Sequence, residues 1–187
     1  MRRIALLAGA TGLVGRELLP LLLDDGDIEE VVVLSRRSLA TPHPKLQQGI
    51  VAFDQLKNFV LPPVDDFYCC LGTTMHDAGS REAFREVDLV YPVTIARMAL
   101  AAGATRCFVV SAMGADRTSR VFYNRIKGEL EEELMKSTTA CALRASLSAS
   151  SLDGHGSGSN VWLNSMRDVS IRAYGFPSTA MPATWVP

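Results

Sequence analysis

The sequence predicts an α/β fold, a doubly wound parallel sheet with helices on both faces, and three observations carry that prediction. Short β-branched and apolar runs alternate with longer helical patterns along residues 1–144. Several of these runs are continuously apolar, as strands buried on both faces must be. The first run passes directly into a glycine-rich turn, Gly9-Ala10-Thr11-Gly12-Leu13-Val14-Gly15, and then a helix.

Arg3 to Ala8 is the first predicted strand, and Gly12 to Leu23 the first helix. Val31-Val32-Val33-Leu34-Ser35 forms the second strand, Gly49 to Phe53 the third, and Phe67 to Leu71 the fourth, which stops at Gly72. Ser80 to Ala102 is a long helical segment in which Pro92 marks a kink or an internal start. Arg106 to Ser111 is the fifth strand, Tyr123 to Lys136 a charged amphipathic helix, and Ala140 to Leu143 a sixth strand. Residues 145–187 differ in kind: nine serines, four glycines, no lysine and no glutamate. Only a short helix around Val161 to Arg167 is suggested there. The chain therefore divides into a domain over 1–144 and an atypical Ser/Gly-rich segment over 145–187.

With 21% charged residues and a formal net charge of −1, the chain has no field to gather a polyanion, so neither nucleic acid nor an anionic membrane is expected as a partner. The longest apolar run, Leu18 to Leu23, contains a proline and is far too short to span a bilayer. Met1-Arg2-Arg3 before Ile4 to Ala8 has the look of a secretory leader, but the glycines that follow break it and no cleavage site comes after. Cys69, Cys70, Cys107 and Cys141 lie in apolar runs and share no metal-ligand spacing with His43, His76 and His155. Reduced, buried thiols in a cytoplasmic protein without a metal are the expectation.

A helix N-terminus offers unpaired amide protons and the positive end of its dipole, which together hold a pyrophosphate. Gly9, Gly12 and Gly15 let the chain turn sharply and let phosphate approach Thr11, Leu13 and Val14 without a Cβ in the way. The second strand then ends in Ser35-Arg36-Arg37, with no carboxylate for ribose hydroxyls. Two guanidiniums suit a 2′-phosphate by charge and by their forked donors, so NADPH is favoured over NADH. Asp54, after the third strand, is a candidate partner for the adenine amino group.

Tyr123 and Lys127 stand four residues apart on a predicted helix, on one face and about one turn apart. An ammonium beside a phenol favours the phenolate, and such a tyrosine can pass a proton to or from a carbonyl oxygen. Ser111, twelve residues before the tyrosine, ends a strand and completes the set.

Four stretches together resemble the short-chain dehydrogenase/reductase superfamily, in particular its atypical NAD(P)-binding branch: the glycine loop 9–15, Tyr68-Cys69-Cys70-Leu71-Gly72-Thr73-Thr74, Val110-Ser111-Ala112-Met113-Gly114-Ala115-Asp116, and Phe122 to Glu131. The resemblance covers about residues 3–144 and implies a Rossmann fold. It also implies Ser111 as the substrate-polarising hydroxyl, Tyr123 as acid/base, and Lys127 as the ligand of the nicotinamide ribose. Leu71, Gly72 and Thr73 would lie against the cofactor, the substrate would be a small molecule, and a homodimer is compatible with the resemblance. Two departures stand out. Ser111-Ala112 replaces the pair of serines found in many relatives, and Leu143-Arg144 is followed by Ala145 where relatives continue with proline. A change of reading frame downstream of Arg144 would produce such a tail; if neither other frame of the coding DNA restores a familiar continuation, that explanation fails.

The leading expectation is thus an NADPH-dependent oxidoreductase acting on a small carbonyl or hydroxyl substrate. Ala112 and the altered tail favour an alternative, a dinucleotide-binding regulatory or scaffold protein with weak or no catalysis. RNA binding by such a domain would require a basic patch that the sequence lacks.

Overall fold

The computed structural model describes residues 2–40, 42–137, 143–146 and 172–173. Its elements run β1 (Arg3–Ala8), α1 (Gly15–Asp24), β2 (Ile28–Ser35), β3 (Leu46–Ile50), a 3-10 turn (Phe53–Asn58), β4 (Asp66–Cys69), α2 (Met75–Ala78), α3 (Arg81–Arg85), a π turn (Glu86–Val90), α4 (Tyr91–Ala101), β5 (Arg106–Ser111), α5 (Phe122–Ser137), β6 (Leu143–Ser146) and β7 (Arg172–Ala173). The strand order is β3-β2-β1-β4-β5-β6-β7. β1 to β6 are mutually parallel, and β7 alone pairs antiparallel, with β6. This is the predicted doubly wound sheet. Strand order reverses direction between β1 and β4, which opens a crevice at the carboxyl ends of those strands.

Alternation along the strands divides the core in two. Ala5, Leu7, Val31 and Val33 point to one face, where Leu19, Leu22 and Leu23 of α1 cover them. Leu6, Ala8, Val32, Leu34, Phe67, Cys69 and Val109 point to the other, under Ile95, Ala96 and Ala99 of α4 and Ile126, Leu130 and Leu134 of α5. Burial on both faces explains why the runs read as continuously apolar. At the amino ends of the strands, Asp66 of β4 is fully buried between Arg3 of β1 and Arg106 of β5. That cluster ties three strands together on the side away from the crevice.

Several element boundaries differ from those expected: β2 begins at Ile28, three residues early, β4 ends at Cys69 rather than Leu71, and α5 is one residue longer at each end. α1 starts at Gly15, not Gly12, because residues 12–14 are spent on the turn. β3 lies at Leu46–Ile50, so Phe53 and Asp54 fall on the 3-10 turn. The segment from Ser80 to Ala102 is three pieces, α3, a π turn and α4, with Pro92 in the first turn of α4. β6 is placed at Leu143–Ser146 and crosses the expected boundary at 144; Ala140, the start of the expected strand, and the helix suggested over 161–167 lie outside the described residues.

Candidate active site

The crevice is built first from the turn after β1. Gly9 has φ +86°, and a Cβ there would fall 2.6 Å from the Cys70 carbonyl carbon. A Cβ on Gly15 would fall 2.1 Å from the Gly9 carbonyl oxygen. These two glycines are therefore dictated by close approach: one seats the turn on the end of β4, the other seats α1 on the turn. Gly12 closes the turn by donating to the Gly9 carbonyl at 3.1 Å. The amides of Leu13 and Val14 find no acceptor among the described residues, while Thr11, Gly12 and Leu13 are exposed. Unpaired amides at the start of a ten-residue helix fit an anionic diphosphate.

At the carboxyl end of β2, the buried Ser35 hydroxyl donates to the Arg37 carbonyl at 2.6 Å and fixes the bend that carries Arg36 and Arg37. Both arginines are exposed and neither has an ion-pair partner among the described residues. The Val51 amide donates to the Ser35 carbonyl at 3.0 Å, so the chain leading to the exposed Asp54 leaves from the same edge.

Lys127 is 2% exposed, a position a lysine takes only when paired. Its Nζ lies 2.7 Å from Asp88 Oδ1 and 3.5 Å from the Val110 carbonyl oxygen at the end of β5. The contact with Asp88 is a charge pair whose angle is not that of a hydrogen bond, which leaves Oδ1 without an aligned donor. Asp88 Oδ2 accepts the Thr73 amide at 2.8 Å. The structure thus gathers Thr73 and Lys127 around Asp88. Tyr123 is half-buried, its ring 6.0 Å from that of Phe84, which also packs on Phe122 at 5.6 Å. Its hydroxyl has no hydrogen-bond partner among the described residues. Ser111 is buried, and its hydroxyl donates to Glu131 Oε1 at 2.6 Å. Of the expected trio, Ser111 and Lys127 are each committed to a neighbouring carboxylate, and Tyr123 alone has no polar partner among the described residues.

Sequence reasoning missed Asp88 and Glu131. Asp88 carried a signal: it stands four residues after Phe84 and four before Pro92, in the register of the buried face, where a lone carboxylate demands a partner. Glu131 continues the stripe Tyr123, Lys127 at a spacing of four. Below Leu71, burial pushes the Cys69 thiol up to about 11 and the Cys70 thiol up to about 12, so neither is a nucleophile.

The chain belongs to the NAD dependent epimerase/dehydratase family, which its residues 5–142 match. Among curated relatives, "Protein FMP52, mitochondrial" of Eremothecium gossypii is 33% identical over 132 residues, covering 70% of this chain and 59% of that protein. "Protein HTATIP2" of Rattus norvegicus is 32% identical over 131 residues, covering 67% and 54%. The chain thus spans between half and three fifths of the length of these relatives. Among solved structures, MoeE5 in complex with UDP-glucose and NAD gives a TM-score of 0.61 at 16% identity over 77% of this chain and 53% of that one. WbmG of Bordetella bronchiseptica, in complex with NAD, gives 0.60 at 16% identity over 79% and 53%. The resemblance to short-chain dehydrogenases/reductases and the NAD-binding type of fold are borne out. The cytoplasmic location is not: fungal relatives from Eremothecium, Debaryomyces and Aspergillus are all named mitochondrial. The described thiols, Cys69, Cys70 and Cys107, are buried or half-buried, and burial of a thiol carries no information about compartment.

Proposed function

We propose that the chain binds NADPH in preference to NADH and acts as an oxidoreductase of short-chain dehydrogenase/reductase type on a small carbonyl or hydroxyl compound. The observation that carries the reading is a set of three groups without partners among the described residues, two of them just past the carboxyl ends of β1 and β2 and one on α5: the amides of Leu13 and Val14, the guanidiniums of Arg36 and Arg37, and the Tyr123 hydroxyl. The first would take the pyrophosphate, the second a 2′-phosphate, and the third the oxygen of the substrate. Asp54 would meet the adenine, and Leu71 to Thr73 would line the path between the two nucleotides.

When bound, a nicotinamide cofactor would supply or accept the hydride. Tyr123 gives a proton to the carbonyl oxygen in reduction and takes it back in oxidation. Lys127 holds the ribose with its remaining ammonium protons and keeps a positive charge beside the phenol. The buried end of β5 excludes water from that side.

One observation favours a second reading, a binding protein with weak catalysis. The Ser111 hydroxyl is spent on Glu131, and Ala112 stands where a second serine would supply another. Purified protein mixed with NADPH, followed by nicotinamide fluorescence and then by absorbance against aldehydes, ketones and quinones, distinguishes the two. Turnover lost in Tyr123→Phe supports the enzyme. Binding without turnover, unchanged by Tyr123→Phe, supports the second reading.

A further inference from the structure

Gln48 breaks the pattern of its own strand. Leu46, Gln48 and Ile50 of β3 alternate onto one face of the sheet, the face that α1 covers further in, and Gln48 pairs in register with the buried Val33 of β2. A residue beside Val33 on that face would ordinarily be apolar. Here it is an amide, and the amide is turned towards the loop that follows β2. We infer that Gln48 is a positioning residue that holds this loop in the shape presenting Arg36 and Arg37 to a 2′-phosphate, and so helps to set the preference between the two nicotinamide nucleotides. The inference rests on the reading of those arginines as the 2′-phosphate site and deepens it.

The contacts are specific. Gln48 Oε1 accepts the Leu39 amide at 2.7 Å, and Gln48 Nε2 donates to the Leu39 carbonyl at 3.2 Å. One side-chain amide thus takes both backbone polar groups of a single residue, the exchange that two facing strand residues make in a sheet. The Ser38 hydroxyl adds a longer bond, donating to the same Oε1 at 3.3 Å. A single hydrogen bond would leave the loop free to pivot about it. Two bonds to one residue fix its direction as well as its place.

The clamp also completes a frame. At the near end of the loop, the buried Ser35 hydroxyl donates to the Arg37 carbonyl at 2.6 Å. At the far end, the Leu39 side chain packs on the apolar cluster that contains Leu19, Leu22 and Val33. Arg36, Arg37 and Ser38 are all exposed and form a short span tied down on both sides. The apolar contact of Leu39 is non-directional, so it holds the loop down without setting which way the chain runs. Gln48 supplies that direction.

Preorganisation gives the arrangement its effect on affinity. Ordering backbone costs free energy, and a loop that is already ordered does not meet that cost when a nucleotide arrives. Arg36 and Arg37 carry like charges on neighbouring residues and have no ion-pair partner among the described residues to hold them in place. The amides offered to the pyrophosphate lie on a different segment, the turn after β1. Loosening the loop after β2 therefore weakens the grip on a 2′-phosphate and spares the rest of the nucleotide.

The test uses the full chain with Gln48→Met, with Arg36 and Arg37 both replaced by alanine, and with all three substitutions. Dissociation constants for NADPH and NADH come from nicotinamide fluorescence, and thermal midpoints serve as the fold control. Methionine matches glutamine in length and lacks both polar groups. Gln48→Met is expected to weaken NADPH binding about threefold to tenfold and NADH binding less than twofold, so the ratio of the two falls. In the background without the arginines, the same substitution should change NADPH affinity less than twofold, because the loop has nothing left to present. Unchanged NADPH affinity in folded Gln48→Met protein would overturn the inference. So would an equal loss for both nucleotides, the mark of general loosening, or a full loss that persists without the arginines. Should Gln48→Met fail to fold, Gln48→Thr carries the same comparisons, since threonine suits a strand but is too short to reach Leu39. Failure of the underlying reading looks different. Wild-type protein that binds both nucleotides equally, or a doubly substituted chain that keeps the wild-type ratio, removes the 2′-phosphate role of the arginines and this inference with it. A ratio that falls with the arginines but not with Gln48 removes this inference alone.

Discussion

Replacing Gly15 by alanine tests the geometry of the glycine turn most sharply, because two effects oppose each other there. Gly15 is the first residue of α1, a position where alanine reduces the freedom of the unfolded chain and would ordinarily stabilise by about 0.4–1 kcal/mol. Against that, the new Cβ would lie 2.1 Å from the Gly9 carbonyl oxygen and 2.8 Å from Ala10 Cα. Both contacts are with backbone, so no side chain can swing aside. To reach an ordinary separation, the start of α1 must back away from the turn by roughly an ångström. Overpacking of that kind costs about 1–3 kcal/mol, more than the helix gains. In a chain of this size a net loss of about 1–2 kcal/mol lowers the thermal midpoint by about 2–8 °C. Affinity should suffer more than stability, since the Leu13 and Val14 amides move with the helix. Each charge-assisted hydrogen bond lost is worth about 1.5–3 kcal/mol, so NADPH binding should weaken at least about tenfold. Differential scanning fluorimetry and a fluorescence titration read the two quantities side by side. A variant that melts higher than wild type, or binds NADPH within twofold of it, would refute the close-approach argument.

Replacing Arg36 and Arg37 together by alanine should cut the preference for NADPH over NADH at least about tenfold while leaving NADH affinity nearly unchanged, since only the 2′-phosphate loses partners; a constant ratio of dissociation constants counts against the assignment. Asp66→Ala strands two guanidiniums at the amino edge of β1, β4 and β5. Because Arg3 and Arg106 keep side-chain exposures of 27% and 43%, water solvates the guanidiniums left behind, and the loss should be about 1–2 kcal/mol, below that of a fully buried broken pair; urea denaturation showing no loss would contradict the cluster's role. With burial holding Cys69 near 11 and Cys70 near 12, the thiolate fraction at pH 8 is about one part in a thousand or less. Iodoacetamide should therefore leave both unlabelled in folded protein at pH 8 and label both in urea, as read by peptide mass spectrometry; rapid labelling of the folded chain would show that the burial is wrong.

Much of the architecture was legible because burial on both sheet faces leaves a plain trace in the residues. Runs such as Val31 to Leu34 have no polar alternation, and the glycines at 9, 12 and 15 are spaced by contacts that a Cβ would destroy. Arg106 to Ser111 was read with its observed ends for the same reason. Boundaries failed where tertiary contacts override local pattern. Gly12 looked like a helix start, but its amide is needed to close the turn onto Gly9. Pro92 marked a kink or an internal start in this segment, and α4 does begin beside it, at Tyr91, but the π form of the turn Glu86–Val90 has no local signature. The site followed the same division. Tyr123 and Lys127 could be paired because their spacing is local to one helix. Asp88 and Glu131 sit in helical register with Phe84 and Lys127, but their partners, Lys127 and Ser111, became legible only when distant segments met.

The claim on which the account depends is that the turn after β1 and the bend after β2 together hold a phosphorylated dinucleotide. Isothermal calorimetry on folded chain, titrated in parallel with NADPH and NADH, measures that without assuming any substrate. One site per chain, with NADPH bound at least about tenfold more tightly than NADH, is the predicted result. Heat from neither nucleotide, with protein shown to be folded, would contradict it.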